Sequence, residues 1–263
     1  MKLKHLMSLL AVTLLVTPTI LAQESATQDP PKQEGSGTVD YKEVIEDYLE
    51  ATGGKMAYEN ITSLYTVATM SSEALGISGK VTITQSGGKS LMKMDMAAIG
   101  ETMQGFDGTT AWRTSEMQGP AILEGEEREQ MVNQFVVSPY LNLEKRFETI
   151  ECTGTEKFNG ENCHVIEMKN KDQKPIVTYF SIESKLIVGT KMMQVSDFGE
   201  IEIVTKIGDY KEVDGIKFAH TTTVELPQGM GEMISETEEI KVNLKVDNSV
   251  FELPEDIKDL IDE

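Results

Sequence analysis

Met92, Met94 and Met96 alternate along one short segment of a 263-residue chain that holds fifteen methionines in all. In an extended strand, residues two apart project to the same face, so the three thioethers share a direction. Soft thioether ligands suit a soft ion, and an exported protein presenting three together can hold Cu(I). Methionine is equally a flexible apolar filler, suited to a surface that must accept variable shapes. No histidine or cysteine clusters with the triplet. A core or an adaptable pocket wall therefore leads, and copper trails it.

Other reactive groups are sparse. Beyond His5 the histidines are His164 and His220. His164 follows Cys163 directly, but adjacent strand residues face opposite ways, so that adjacency sets up no thiol–imidazole couple. No Gly-x-Ser-x-Gly elbow, phosphate-cradling Gly-x4-Gly-Lys-Ser/Thr loop or His-Glu-x-x-His pair occurs. Carboxylates are many, yet at a formal net charge of -20 they read as solvated surface. The reading is a protein that is not an enzyme, with no cofactor and no metal set of histidine, cysteine and carboxylate. His220 falls on an apolar strand face and reads as a core histidine bonded to a neighbouring hydroxyl or carbonyl.

Cys152 and Cys163 are the disulfide candidates, since an exported chain with two cysteines can pair them. Asn159-Gly160 reads as a hairpin turn, and its register sets Glu156, not Cys152, opposite Cys163. A bridge then requires a bulge or a bent strand, and the sequence leaves the pairing open.

Residues 1–22 read as a signal peptide. Lys2, Lys4 and His5 precede an apolar run broken by Pro18, and the cut is expected after Ala22. No cysteine follows the run, and it is short for a stable membrane anchor. The segment carries two lysines and no carboxylate, so its removal takes the formal charge from -20 to -22. Such a surface repels nucleic acid and anionic head groups. Residues 23–40 are polar and rich in proline and glycine, and read as a disordered linker. Residues 41–263 remain as a single domain in the periplasm or outside the cell.

Within that domain the spacing of Val44, Ile45, Tyr48 and Leu49 predicts a helix over 41–52, closed by Gly53-Gly54. After Leu64 the apolar period becomes two, and strand follows strand in one meander, with turns at Asp107-Gly108 and Asn159-Gly160. A helical interruption is expected over Leu123–Val137, ended by Pro139. Alternation such as Ile240, Val242, Leu244 and Val246 against Lys241, Asn243 and Lys245 marks a sheet wet on one side and covered on the other. About eleven strands cannot stay flat, so the fold class is mainly β (α+β): a strongly curved antiparallel sheet covered by helices.

The order of several short motifs resembles the LolA/LolB-like superfamily, especially its outer-membrane lipoprotein-sorting-like proteins. They are Tyr48-Leu49-Glu50-Ala51-Thr52-Gly53-Gly54, Gly105-Phe106-Asp107-Gly108 leading to Ala111-Trp112, Tyr179-Phe180 through Leu186, Asp209 through Phe218, and Phe251-Glu252-Leu253-Pro254. The resemblance implies an incomplete β-barrel with a helical lid, over an apolar cavity that takes acyl chains. It also implies an early-strand arginine that engages the lid. The arginines here are Arg113, Arg128 and Arg146, and none maps onto that place.

The leading expectation is a carrier-like protein that binds lipid or lipoprotein acyl chains, with Met92, Met94, Met96, Phe106, Trp112, Phe218, Val224 and Leu244 as inward-facing wall. The second is a structural or interaction module of the cell envelope with a filled core, whose partner would be another envelope protein. Cu(I) binding through Met92, Met94 and Met96 is the third.

Overall fold

The first helix, α1 (Tyr41–Ala51), forms where the sequence places it, with Val44, Ile45, Tyr48 and Leu49 buried along one stripe. Asp40 caps it, accepting from the Lys42 amide at 3.0 Å. At the other end the Gly54 amide donates to the Leu49 carbonyl at 2.7 Å, and a short helix, α2 (Lys55–Glu59), follows. Val39 packs against the same cluster as α1. A computed structural model of the chain describes residues 39–97, 100–170, 175–196 and 199–262. The expected signal peptide, its cut after Ala22 and the linker up to Thr38 lie outside the described residues.

Thirteen strands form one antiparallel sheet. They are β1 (Ser63–Ser72), β2 (Ile77–Ser86), β3 (Lys89–Met96), β4 (Gly100–Phe106), β5 (Ala111–Ser115), β6 (Ala121–Leu123), β7 (Thr149–Phe158), β8 (Glu161–Lys169), β9 (Ile176–Ser181), β10 (Ile187–Ser196), β11 (Gly199–Val213), β12 (Ile216–Glu225) and β13 (Glu232–Val242). The sheet is open, with β6 and β7 at its edges. The count exceeds the expected eleven. One strand the sequence hid is β6, three residues long, too short to show alternation and placed by its pairing of Leu123 with Ala111. The expected helix over Leu123–Val137 correspondingly shrinks to α3 (Gly125–Gln134).

The single meander is also corrected. The strand order runs from β6 back to β1, then β13 down to β7. Two meanders meet where β1 pairs with β13, and the chain must cross from one edge to the other between them. Residues 124–148 make that crossing, carrying α3 and a 3-10 turn (Leu143–Lys145) over one face of the sheet. That face, covered also by α1, is the inner face. Two turns show why asparagine and aspartate precede glycine at hairpins. Asn159 and Gly160 sit at φ 49° and 88°, and Asp214 and Gly215 at 50° and 80°, the left-handed pairs that match strand twist. As expected, Glu156 lies opposite Cys163.

Two apolar clusters fill most of the inner face. One joins Met70, Ile83, Met92, Met94 and Met96 to Met131 and Phe135 of the crossover. The other joins Ile166, Phe180, Ile187 and Ile207 to α1, Tyr140, Leu143 and Phe147. On the outer face Leu91 and Trp112 are covered by the C-terminal segment through Phe251 and Ile257, the latter in α4 (Glu255–Asp262).

Candidate functional site

Between the two inner clusters lies a cavity of about 240 Å³. Its walls follow from period-two alternation. Ala68 and Met70 of β1 sit opposite Val81 and Gly79 of β2, and Val81 and Ile83 sit opposite Met94 and Met92 of β3. All of these but Gly79 line the space. The crossover supplies the roof through residues 134–137 and Pro139, and hydroxyls of Thr66, Thr222, Ser235 and Thr237 interrupt the walls. The volume falls just below the roughly 300–1,000 Å³ of most small-ligand pockets, so it suits one slender apolar chain.

Four phenols gather at the other end: Tyr48 of α1, Tyr58 of α2, Tyr140 of the crossover and Tyr210 of β11. Tyr48, Tyr140 and Phe180 pack edge to face, with ring centroids 5.2–5.9 Å apart, which ties helix, crossover and sheet together. Burial raises the hydroxyl pKa of all four; that of Tyr140 is pushed up to about 12. Each is therefore a neutral hydroxyl at physiological pH. The Tyr210 hydroxyl donates to the Ile187 carbonyl at 2.9 Å, and the Tyr140 hydroxyl is buried beside the Thr178 side chain.

An early-strand side chain does hold the crossover, though it is not an arginine. Gln85 of β2 donates from Nε2 to the Phe135 carbonyl at 2.5 Å. On the far side of α3 the Arg128 guanidinium lies 5.3 Å from the Phe106 ring centre. Replacing Gln85 with leucine leaves the Phe135 carbonyl without this donor, at a cost of about 1–3 kcal/mol. We expect amide hydrogen exchange across residues 125–140 to accelerate in Gln85→Leu while the strands keep their protection. Equal exchange in both proteins would show that this bond does not hold the roof.

The structure brings together part of the expected wall. Met92, Met94 and Phe218 line the cavity. Met96 and Val224 are buried beside it in the first cluster, and Phe106 packs against that cluster. Trp112 is a correction. Ala111 pairs with Leu123 on the inner face, so Trp112 points outward. Gly105 opposite makes room for the indole, since a Cβ there would lie 2.7 Å from the ring. Leu244 is the second correction. β13 stops at Val242, Asn243 turns at φ 57° and accepts from the Thr62 amide at 2.7 Å, and Leu244 is 43% exposed.

The cysteines are both free. A register shift after Cys152 leaves it opposite Ile166 and packed against the inner cluster, whereas Cys163 is buried with Val165 and Tyr179 on the outer face. His220 is 8% exposed with Nδ1 2.9 Å from the Phe218 carbonyl. The phenol end escaped the sequence reading. Its four rings come from four separate segments, and only Tyr48 stood on a recognisable apolar stripe.

No protein-family model and no curated protein matches the chain. Solved structures do. A LolA superfamily protein, NE2245 from Nitrosomonas europaea, aligns over 82% of this chain and 98% of its own, with a TM-score of 0.54 and 11% identity. A DUF1329 family protein from Desulfovibrio piger aligns over 80% of this chain and 96% of its own, with a TM-score of 0.53 and 12% identity. Among the described residues no helix is long and apolar enough to cross a membrane. The open, helix-roofed antiparallel sheet of this chain is therefore the fold of these two solved structures, which it matches over nearly their full length.

Proposed function

We propose that this protein is an exported, non-catalytic carrier that holds a lipid or lipoprotein acyl chain in the cavity under the crossover. The observation that carries this reading is the cavity itself, about 240 Å³ walled by Ala68, Val81, Ile83, Met92 and Met94. Each acyl methylene moved from water into such a wall contributes roughly 0.8 kcal/mol, so about ten suffice for micromolar binding before ordering costs. Methionine suits the task because its thioether chain adapts to a ligand that slides. The fold shared with a LolA superfamily protein supports the same reading. The reading of residues 1–22 as a signal peptide supports a working location in the periplasm or outside the cell.

Protein purified without detergent should carry bound lipid visible by native mass spectrometry. After delipidation it should take up one fluorescent fatty acid per chain. Recovery of bare protein together with no uptake overturns the proposal. Trp112 is not a reporter for this test, because it lies on the outer face.

A second reading, an envelope interaction module, has one observation in its favour: two side-chain clusters already fill most of the inner face. Cu(I) binding has weaker support, because Met96 is buried beyond the cavity wall while Met92 and Met94 line it.

A further inference from the structure

Burial rises in one direction along the middle of the sheet. On β1, Leu64 and Thr66 are half-buried, Ala68 is buried and Met70 is 1% exposed. On β13, Thr237 and Ser235 are half-buried and Met233 is fully buried. On β12, Thr222 is half-buried and Val224 is buried. Met70 pairs with Ser235, and Val224 with Met233, so the buried ends of the three strands lie side by side. Met70 lines the cavity, whereas Met233, Val224 and Met96 lie beyond its wall in the same cluster. The hollow is therefore closed at the Met70 end, and its water-facing side lies toward Leu64.

Two thioether arms make that closed end. Met70 of β1, Gly79 of β2 and Met96 of β3 stand in one row across the ladder. A Cβ on Gly79 would lie 2.6 Å from Met96 Cγ, so Met96 leans over the bare strand toward Met70. We infer that Met70 and Met96 set the length of acyl chain the cavity accepts. This rests on the acyl-chain reading above and adds a specificity to it. At roughly 30 Å³ for each methylene-sized group, the share of one liquid water, the space of about 240 Å³ holds on the order of eight. With the carboxyl end left in water, the fitting chain has about ten carbons. Further carbons stay outside and add nothing, because only methylenes taken out of water contribute. Cutting either methionine back to alanine frees the room of about three more chain atoms.

The test uses displacement of a fluorescent polyene fatty acid from the delipidated protein by straight-chain fatty acids, from hexanoate to hexadecanoate. Affinity should rise about fourfold with each added carbon up to about ten, then stay flat. In Met70→Ala and in Met96→Ala the flat part should begin about three carbons later. Both variants should melt lower, so all proteins are compared at a temperature where circular dichroism shows them folded. Met168→Ala is the control: Met168 is fully buried in the other inner cluster and lines no part of the cavity. Its chain-length profile should match that of the original. A variant that folds without shifting the profile removes its residue from this role, and no shift in either overturns the inference. An equal shift in Met168→Ala also overturns it, since the cause would then be general loosening. If affinity climbs through hexadecanoate in the unaltered protein, no length limit exists and the acyl-chain reading alone survives. If no acid displaces the probe and the probe itself is not taken up, both fall.

Discussion

A chain ending at Val246 should melt on the order of 10 °C below the full protein, with a red-shifted Trp112 emission. The deleted segment holds Phe251 and Ile257, 3% and 0% exposed, over Leu91 and Trp112, 7% and 2% exposed. Losing the burial of those two side chains alone forfeits roughly 3–6 kcal/mol. A domain of this size loses about 2–4 °C per kcal/mol. The indole meanwhile passes from a dry contact to water. The wider consequence concerns the sheet. Gly105 offers no side chain beneath the ring, so once the cover is removed only β3 to β6 and solvent surround Trp112. Those strands form one edge of the sheet and adjoin the start of the crossover. Acyl-chain uptake should therefore fall along with stability. A truncated chain with unchanged melting and unshifted emission would show that the C-terminal segment is an ornament on the outer face.

Trp112 also shows where sequence reasoning stops. Period two told correctly that β5 has two unlike faces, but alternation does not say which face is inner. A large ring was assigned to the hollow, while its true cover is a segment more than 130 residues away. Met92 and Met94 could be read because their neighbours Lys93 and Asp95 are charged, which marks the other face as wet. The Asn159-Gly160 hairpin could be read because its turn chemistry is local. Strand order could not, because nothing in β1 names β13 as its partner rather than a continuation of one meander. The end of β13 was hidden for a similar reason: alternation continues through Leu244, and the chain leaves the sheet where Asn243 turns to a positive φ and accepts from the Thr62 amide. The phenol end has no linear signature at all, since helix, crossover and sheet each contribute a ring.

Ala68→Phe should abolish acyl-chain uptake, by tenfold or more, without lowering the melting temperature. Ala68 is 7% exposed at the middle of β1, opposite Val81 on one side and Thr237 on the other, and it lines the cavity. A phenyl group placed there grows into the empty space, gaining contacts and removing the room a guest requires. The same substitution in a solid core would be overpacking and would cost about 1–3 kcal/mol. The two readings of the inner face therefore predict opposite results from one variant. In a carrier, Ala68→Phe is as stable as the original, or more so, and empty of lipid. In a filled interaction module it melts several degrees lower, and lipid is irrelevant in both proteins. A third outcome, loss of stability together with loss of uptake, would mean that the cavity walls cannot yield to a ring and that the roof must rise for any guest. Faster hydrogen exchange over residues 125–140 in Ala68→Phe would then be required, because the carbonyl of Phe135 could no longer sit on Gln85. Sequence alternation gives the same inner face in all three cases, so only the response of the space itself can separate a hollow from a core.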